Sequence, residues 1–185
     1  MGPASDTADR DPAIPAAKLR QHHWAVIGGI GAFVVLAIFW ALVFTGTLTP
    51  KNPDRLADRA WVHRTDAQCK KVQDAINRLP NAGKATSAAA RADSLQRGSD
   101  LLTGLVADVR ADQPDTADQR AVVRSWLADW DFYLADRAAY IHALRTEGGS
   151  AKPLMRPIHG STAKQTITDF ADANGMGNCE APLDF

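Results

Sequence analysis

The hydrophobic pattern of the chain is dominated by one long apolar run near the N-terminus. From Trp24 to Phe44 the sequence carries no charged residue over 21 positions. A helix of that length rises by about 32 Å, which crosses the hydrocarbon core of a bilayer with its own backbone hydrogen bonds satisfied. The run predicts a transmembrane helix within an anchor at residues 22–46, with Trp24 and Trp40 near the membrane interfaces.

A cleaved signal peptide is the alternative interpretation of this run. Its apolar region would span only about 7–15 residues and would end in a small-x-small cleavage site. Here the run is longer, and Thr45-Gly46-Thr47 is a poor cleavage site. The pattern favours an anchor that remains attached.

The segments that flank the anchor lack apolar periodicity. Residues 1–21 hold three prolines among small and charged residues, which predicts a disordered cytoplasmic tail. Pro50 and Pro53 interrupt the helix after the anchor, so residues 47–53 are interpreted as a linker.

The remainder, residues 54–185, shows apolar residues at a spacing of three or four in four stretches, which indicates amphipathic helices. No alternating run of β-branched residues is long enough to predict a strand. The predicted fold is all-α: one N-terminal transmembrane helix, then an antiparallel bundle of three long helices plus one short C-terminal helix. The predicted soluble helices run from about Asp54 to Leu79, Ser87 to Ala111, Thr116 to Arg145 and Thr162 to Asn174.

Polar residues and glycines mark the ends of these helices. Thr86 or Ser87 can cap the second helix, and Asp115 is a possible cap for the third. Gly148-Gly149 predicts the end of the third helix, and Gly175 has the position of a left-handed residue after the fourth.

The third helix carries the most distinctive pattern, an aromatic stripe with a charge inside it. At 100° per residue its apolar side chains merge into one arc of about 140°, and Arg137 falls within that arc. One interpretation is a packed core in which Arg137 is paired with a carboxylate or stacked on a tryptophan. The other is a site for a small anionic ligand, lipid headgroup or cell-wall fragment, formed by Trp126, Asp129, Trp130, Tyr133, Asp136, Arg137 and Tyr140.

The two cysteines, Cys69 and Cys179, are too far apart for a metal or redox motif. Cys69 is in phase with the apolar face of the first soluble helix, and Cys179 follows the short helix in a loose, glycine-containing tail. We predict a disulfide between them; the alternative is two free thiols. Because disulfides persist in oxidising compartments, the pair favours an extracytoplasmic domain. The basic residues around the anchor leave its orientation open: Arg10, Lys18 and Arg20 precede it, and Lys51, Arg55, Arg59 and Arg64 follow.

Two motifs in the last third of the chain resemble a known group of proteins. They are Trp126-x-x-Asp129-Trp130-x-x-Tyr133-x-x-Asp136-Arg137-x-x-Tyr140 and Ile167-x-x-Phe170-Ala171-x-x-Asn174-x-Met176-x-x-Cys179-x-x-Pro182-x-Asp184. Together they resemble a family of small actinobacterial single-pass membrane-anchored proteins without an assigned function. Gly177-Asn178 departs from the Pro/Ser-like pair expected before the cysteine. The resemblance implies an anchor and an extracytoplasmic helical domain, and it implies no activity.

Charge and motif content narrow the function classes. The chain is formally neutral, which gives no electrostatic reason for a nucleic-acid partner. Glutamate occurs only at positions 147 and 180, neither with histidine at i+3, and no nucleotide-binding or hydrolase motif is present. His63, His142 and His159 are isolated in sequence.

We therefore expect no enzymatic activity, metal or cofactor. The leading prediction is a structural or accessory interaction protein of the cell envelope, with the lipid bilayer and another membrane or envelope protein as partners. The alternative prediction is the binding module built on Arg137 and the aromatic stripe.

Overall fold

The computed structural model describes residue 31 and residues 33–45, 52–158 and 160–182. The chain divides into two compact units, residues 1–51 and 52–185. The predicted tail at residues 1–21 lies outside the described residues.

In the first unit, residue 31 and residues 33–44 are helical. Among the described residues, no helix is both long enough and apolar enough to cross a membrane. Residues 24–30 and 32 of the predicted span lie outside the description, so the transmembrane helix stays a prediction. The large apolar side chains exposed on the described helical residues are Phe33, Val34, Val35, Leu36, Ile38, Phe39, Trp40, Leu42 and Phe44.

The second unit is mostly helical, as the spacing of its apolar residues predicts. Its described helices are α1 (Arg59–Ile76), α2 (Ala88–Ala111), α3 (Ala117–Thr146) and the shorter α4 (Ala163–Asn174). Single 3₁₀ turns lie at Ala82–Lys84, Gly148–Ser150 and Gly177–Cys179.

Contacts at both ends of α2 show that the long helices run antiparallel. Arg145, near the end of α3, pairs with Asp93 near the start of α2 at 3.4 Å, and Arg110 pairs with Asp131 at 2.9 Å at the other end. The start of α1 reaches the residue after α2, because Trp61 Nε1 donates to the carbonyl of Asp112 at 2.7 Å.

Most of the predicted helix ends are confirmed, with two corrections. Ser87 caps α2 by accepting from the amide of Ala90, and Gly175 takes the left-handed conformation, with φ of 68°, after α4. The cap of α3 is Thr116 rather than Asp115, since the Thr116 hydroxyl accepts from the Gln119 amide. The first helix spans Arg59–Ile76 and is shorter than predicted at both ends. Asp58 caps its start, the Leu56 amide bonds to Asn174 instead, and Asn77 rather than Leu79 marks its end.

The all-α prediction also missed a small antiparallel hairpin between α3 and α4. Its strands are β1 (Pro157–Ile158) and β2 (Ser161–Thr162), with Pro157 opposite Thr162 and Ile158 opposite Ser161. Gly160, with φ of 79°, lies in the turn. Two-residue strands are too short to produce an alternating pattern in the sequence.

The buried side chains form two clusters along α3. The larger joins α1, α2, α3, α4 and the C-terminal tail, and includes Trp61, Trp126, Trp130, Ile167 and Met176. The smaller lies toward the other end of α3, where Tyr140, Ile141 and Leu144 pack on Ala92 and Leu95 of α2 and on Ala82.

Candidate functional site

The aromatic stripe of α3 lies inside the second unit. Asp129 is partly exposed. The other six candidate residues are almost completely buried, which favours the packing interpretation of the stripe over the ligand-binding interpretation. The exposed fractions of the other six candidate residues are Trp126 2%, Trp130 1%, Tyr133 2%, Asp136 6%, Arg137 1% and Tyr140 3%.

The aromatic rings of the stripe pack in specific pairs. Trp126 stacks on Phe170 of α4 with ring centroids 4.8 Å apart, and Trp130 meets both Trp126 and Tyr133 edge to face. The indole Nε1 of Trp126 donates to the carbonyl of Ile167 at 3.3 Å. The stripe therefore holds α4 against α3, and the indole nitrogen of Trp126 is used within the protein.

Arg137 is buried and hydrogen-bonded, as the sequence predicted for a charge within the stripe. Its guanidinium donates to the Ser99 hydroxyl at 3.0 Å, to the Leu95 carbonyl at 3.2 Å and to the Tyr133 hydroxyl at 3.3 Å. Two of these acceptors lie on α2, so Arg137 links α2 to α3. Sequence reasoning did not single out Ser99 or Leu95, because their role depends on how the two helices face each other.

Asp136, one of the carboxylates proposed for Arg137, binds Arg156 instead. It accepts from the Arg156 amide at 3.0 Å and from Arg156 Nε at 2.5 Å. The carboxylate is 7% exposed, whereas the Arg156 side chain is about half exposed. Asp136 thus fixes the loop before β1 to the middle of α3.

The C-terminal tail is fastened to α1. Cys69 and Cys179 form a disulfide, as predicted, and no free cysteine is present among the described residues. Next to the disulfide, Asp66 accepts from the amide and side chain of Asn178 at 3.0 and 2.8 Å. The Tyr133 hydroxyl also donates to the Pro182 carbonyl at 3.0 Å, so the tail is held from two sides.

Asn174 joins the two ends of the second unit. Its Oδ1 accepts from the Leu56 amide at 2.8 Å, and its Nδ2 donates to the carbonyls of Asp54 and Phe170 at 2.9 and 3.0 Å. The side chain is 1% exposed. Several residues of the tail motif, including Asn174 and Met176, therefore have structural roles.

A cavity of about 460 Å³ in the described part of the second unit has none of the seven stripe residues in its lining. Arg91, Ser94 and Gly98 of α2 line one side of it, and the end of α1 with the connection after it lines another. Two further cavities among the described residues measure about 330 and 210 Å³, and the smaller of these two has Trp126 and Asp129 in its lining. Arg137 lines none of the three.

The side chains that could ligate a metal are dispersed rather than clustered among the described residues. No group of three or more His, Cys, Asp and Glu side chains within the described ranges could hold a metal ion. His63 and His142 are exposed, and His159 lies outside the described residues. Asp129 and Asp131 do not converge, as the helical geometry predicted, because Asp131 faces Arg110 while Asp129 lines the 210 Å³ cavity.

Comparisons with protein-family models, curated proteins and solved structures find no match to this chain. The functional proposals below therefore rest on the geometry of the described residues.

Proposed function

We propose that this chain is a membrane-anchored structural or accessory protein of the cell envelope, whose extracytoplasmic helical domain binds another membrane or envelope protein as part of a complex. The observation that carries the proposal is an exposed apolar patch on a domain whose aromatic core is closed. It is formed by Phe132 and by the exposed segment Leu154-Met155-Arg156, of which Arg156 contacts the Phe132 ring, and we call it the Phe132 patch.

The Phe132 patch leaves between 44% and 68% of each of its three large apolar residues exposed. Phe132 is 44% exposed, Leu154 68% and Met155 50%. The guanidinium of Arg156 lies 5.6 Å from the centroid of the Phe132 ring. Aromatic residues, methionine and arginine are enriched in protein interfaces, so this composition supports a protein partner.

The Phe132 patch is also held in a defined position. Arg156 is bonded through its backbone and side chain to the buried Asp136, and Phe132 lies one turn earlier on α3. A loop whose conformation is preset loses less entropy on binding than a free loop. The buried Asp136–Arg156 contact therefore supports an interaction role for this otherwise irregular segment.

Two further observations support the proposed location. The disulfide between Cys69 and Cys179 requires an environment in which thiols oxidise and remain oxidised. In the first unit, the described helical residues expose a series of large apolar side chains, such as Phe33 and Leu36, which water solvates poorly and lipid solvates well.

Site-specific crosslinking in native membranes tests the proposed partner. A photo-crosslinking residue at position 154 should yield an adduct of one defined mass, which a second label at position 132 should reproduce. A label at position 100, an exposed site on α2, is the matched control and should not yield that adduct.

Disruption of the patch completes the test. The paired substitution Leu154→Ser and Met155→Ser should abolish copurification of the crosslinked partner while the thermal midpoint stays unchanged, because both side chains are largely exposed. Copurification that survives this change, or equal adducts from positions 154 and 100, would contradict the proposal.

A further inference from the structure

One side of the 460 Å³ cavity is formed by α2, which presents one arginine and two small residues toward it. Arg91, Ser94 and Gly98 follow one another at i, i+3 and i+7, a spacing that places them on one side of the helix. A side chain of leucine size at position 94 or 98 would occupy part of this space. The opposite walls come from the end of α1 and from the connection that follows it.

Arg91 is the one charged residue among the described residues that line this cavity. Its guanidinium carbon lies 5.4 Å from the centroid of the Tyr140 ring, which supports the planar group on one side. Its Nε is buried, and no described residue accepts a hydrogen bond from it. A buried donor on a charged group is costly to leave unsatisfied, so the position is suited to an added acceptor.

Other polar groups in the lining can donate to the same occupant. Asn77 and Asn81 both line the cavity, and Asn81 Oδ1 already accepts from the Lys84 amide at 3.2 Å, which leaves its amide nitrogen as a donor. Ile76 and Leu79 provide apolar contact. The described lining contains no Asp or Glu, so the described residues carry a net positive formal charge.

We propose that this cavity binds a small organic oxyanion, with a carboxylate or phosphate group paired to Arg91. A guanidinium offers donors in a planar fork that matches either group. The apolar residues in the lining favour an anion with a carbon skeleton over a free inorganic ion. This site is separate from the Phe132 patch, and it does not depend on the proposed partner.

Calorimetric titration of the full chain in detergent micelles tests this site. The probes are N-acetylglycine for the carboxylate, methyl phosphate for the phosphate and N-acetylglycinamide as the uncharged match of the first. At least one anionic probe should bind. The probe that binds more tightly shows whether the site prefers a carboxylate or a phosphate group. The uncharged amide should bind at least about tenfold more weakly, since it cannot form the charge-assisted pair.

Variants locate the binding to Arg91. Arg91→Gln should lower the affinity for the anionic probe by about tenfold or more. Arg97 is an exposed arginine on the same helix, and Arg97→Gln should leave this affinity unchanged. Asn77→Asp is a second, independent test in case the arginine variant fails to fold. It adds a negative charge to the lining at an exposed position. It should also reduce binding.

Three results would overturn the assignment. They are the absence of binding by both anionic probes, equal binding of N-acetylglycine and its amide, and an affinity that neither Arg91→Gln nor Asn77→Asp reduces.

Discussion

Arg137 Nη1 donates to the hydroxyl of Tyr133, one helical turn earlier, and its guanidinium carbon lies 5.7 Å from the centroid of the same ring. The Tyr133 hydroxyl in turn donates to the carbonyl of Pro182. A buried charge on α3 is thereby connected to the C-terminal tail through one side chain. This chain of contacts explains why a polar residue can occupy the middle of an aromatic stripe.

Replacement of Arg137 should therefore destabilise the fold. Arg137→Ala removes the donor to Ser99, Leu95 and Tyr133 and leaves a cavity, so we expect a loss of about 3–5 kcal/mol in unfolding free energy. Chemical denaturation of the purified chain measures it. Arg124→Ala, at an exposed position of α3, should change stability by less than about 0.5 kcal/mol. Equal midpoints for the two variants would show that the buried contacts of Arg137 contribute nothing.

The disulfide should stabilise the second unit by constraining its unfolded state. The sequence separation of 110 residues predicts nearly 5 kcal/mol in the chain-entropy model, and measured values are commonly about 2–4 kcal/mol. Cys69→Ser with Cys179→Ser should lower the unfolding free energy by such an amount. Alkylation of denatured, unreduced protein from membranes should add no mass; two added alkyl groups before reduction would mean that the bond is absent.

Asn174 should control the segment that precedes α1. Asn174→Ala leaves the Leu56 amide and the Asp54 carbonyl without their described partner, and the loss at the buried Leu56 amide costs about 1–3 kcal/mol. We expect faster hydrogen exchange of the Leu56 amide together with a lower thermal midpoint. Gln165→Ala, which removes an exposed contact to Asp169 on the same helix, is the control. Unchanged exchange at Leu56 would contradict the structural role assigned to Asn174.

The proposed orientation predicts the outcome of reporter fusions after Phe185. An alkaline phosphatase fused there should be active, because it needs an oxidising compartment for its own disulfides, and a cytoplasm-dependent fluorescent reporter should be dark. The same fusions made before the apolar run should give the reverse result. Activity restricted to the cytoplasmic reporter at the C-terminus would exclude the extracytoplasmic location.

Several features were predictable because they depend on residues close together in the chain. Helical spacing located α2 and α3 to within about one residue, and Ser87 and Gly175 were recognisable as end signals from their own conformational preferences. The disulfide was predictable from the phase of Cys69 on its helix. The burial of Arg137 followed from its position within the stripe.

Other features required the tertiary structure, because they join residues far apart in sequence. The partners of Arg137 on α2 lie 38 and 42 positions away, and the Asn174–Leu56 contact spans 118. Such contacts depend on the rotation and crossing of packed helices, which local periodicity leaves undetermined. For the same reason, sequence alone identified the amphipathic helices and the anomalous charge, whereas only the packing of α2 against its neighbours decided that the open space lies beside Arg91.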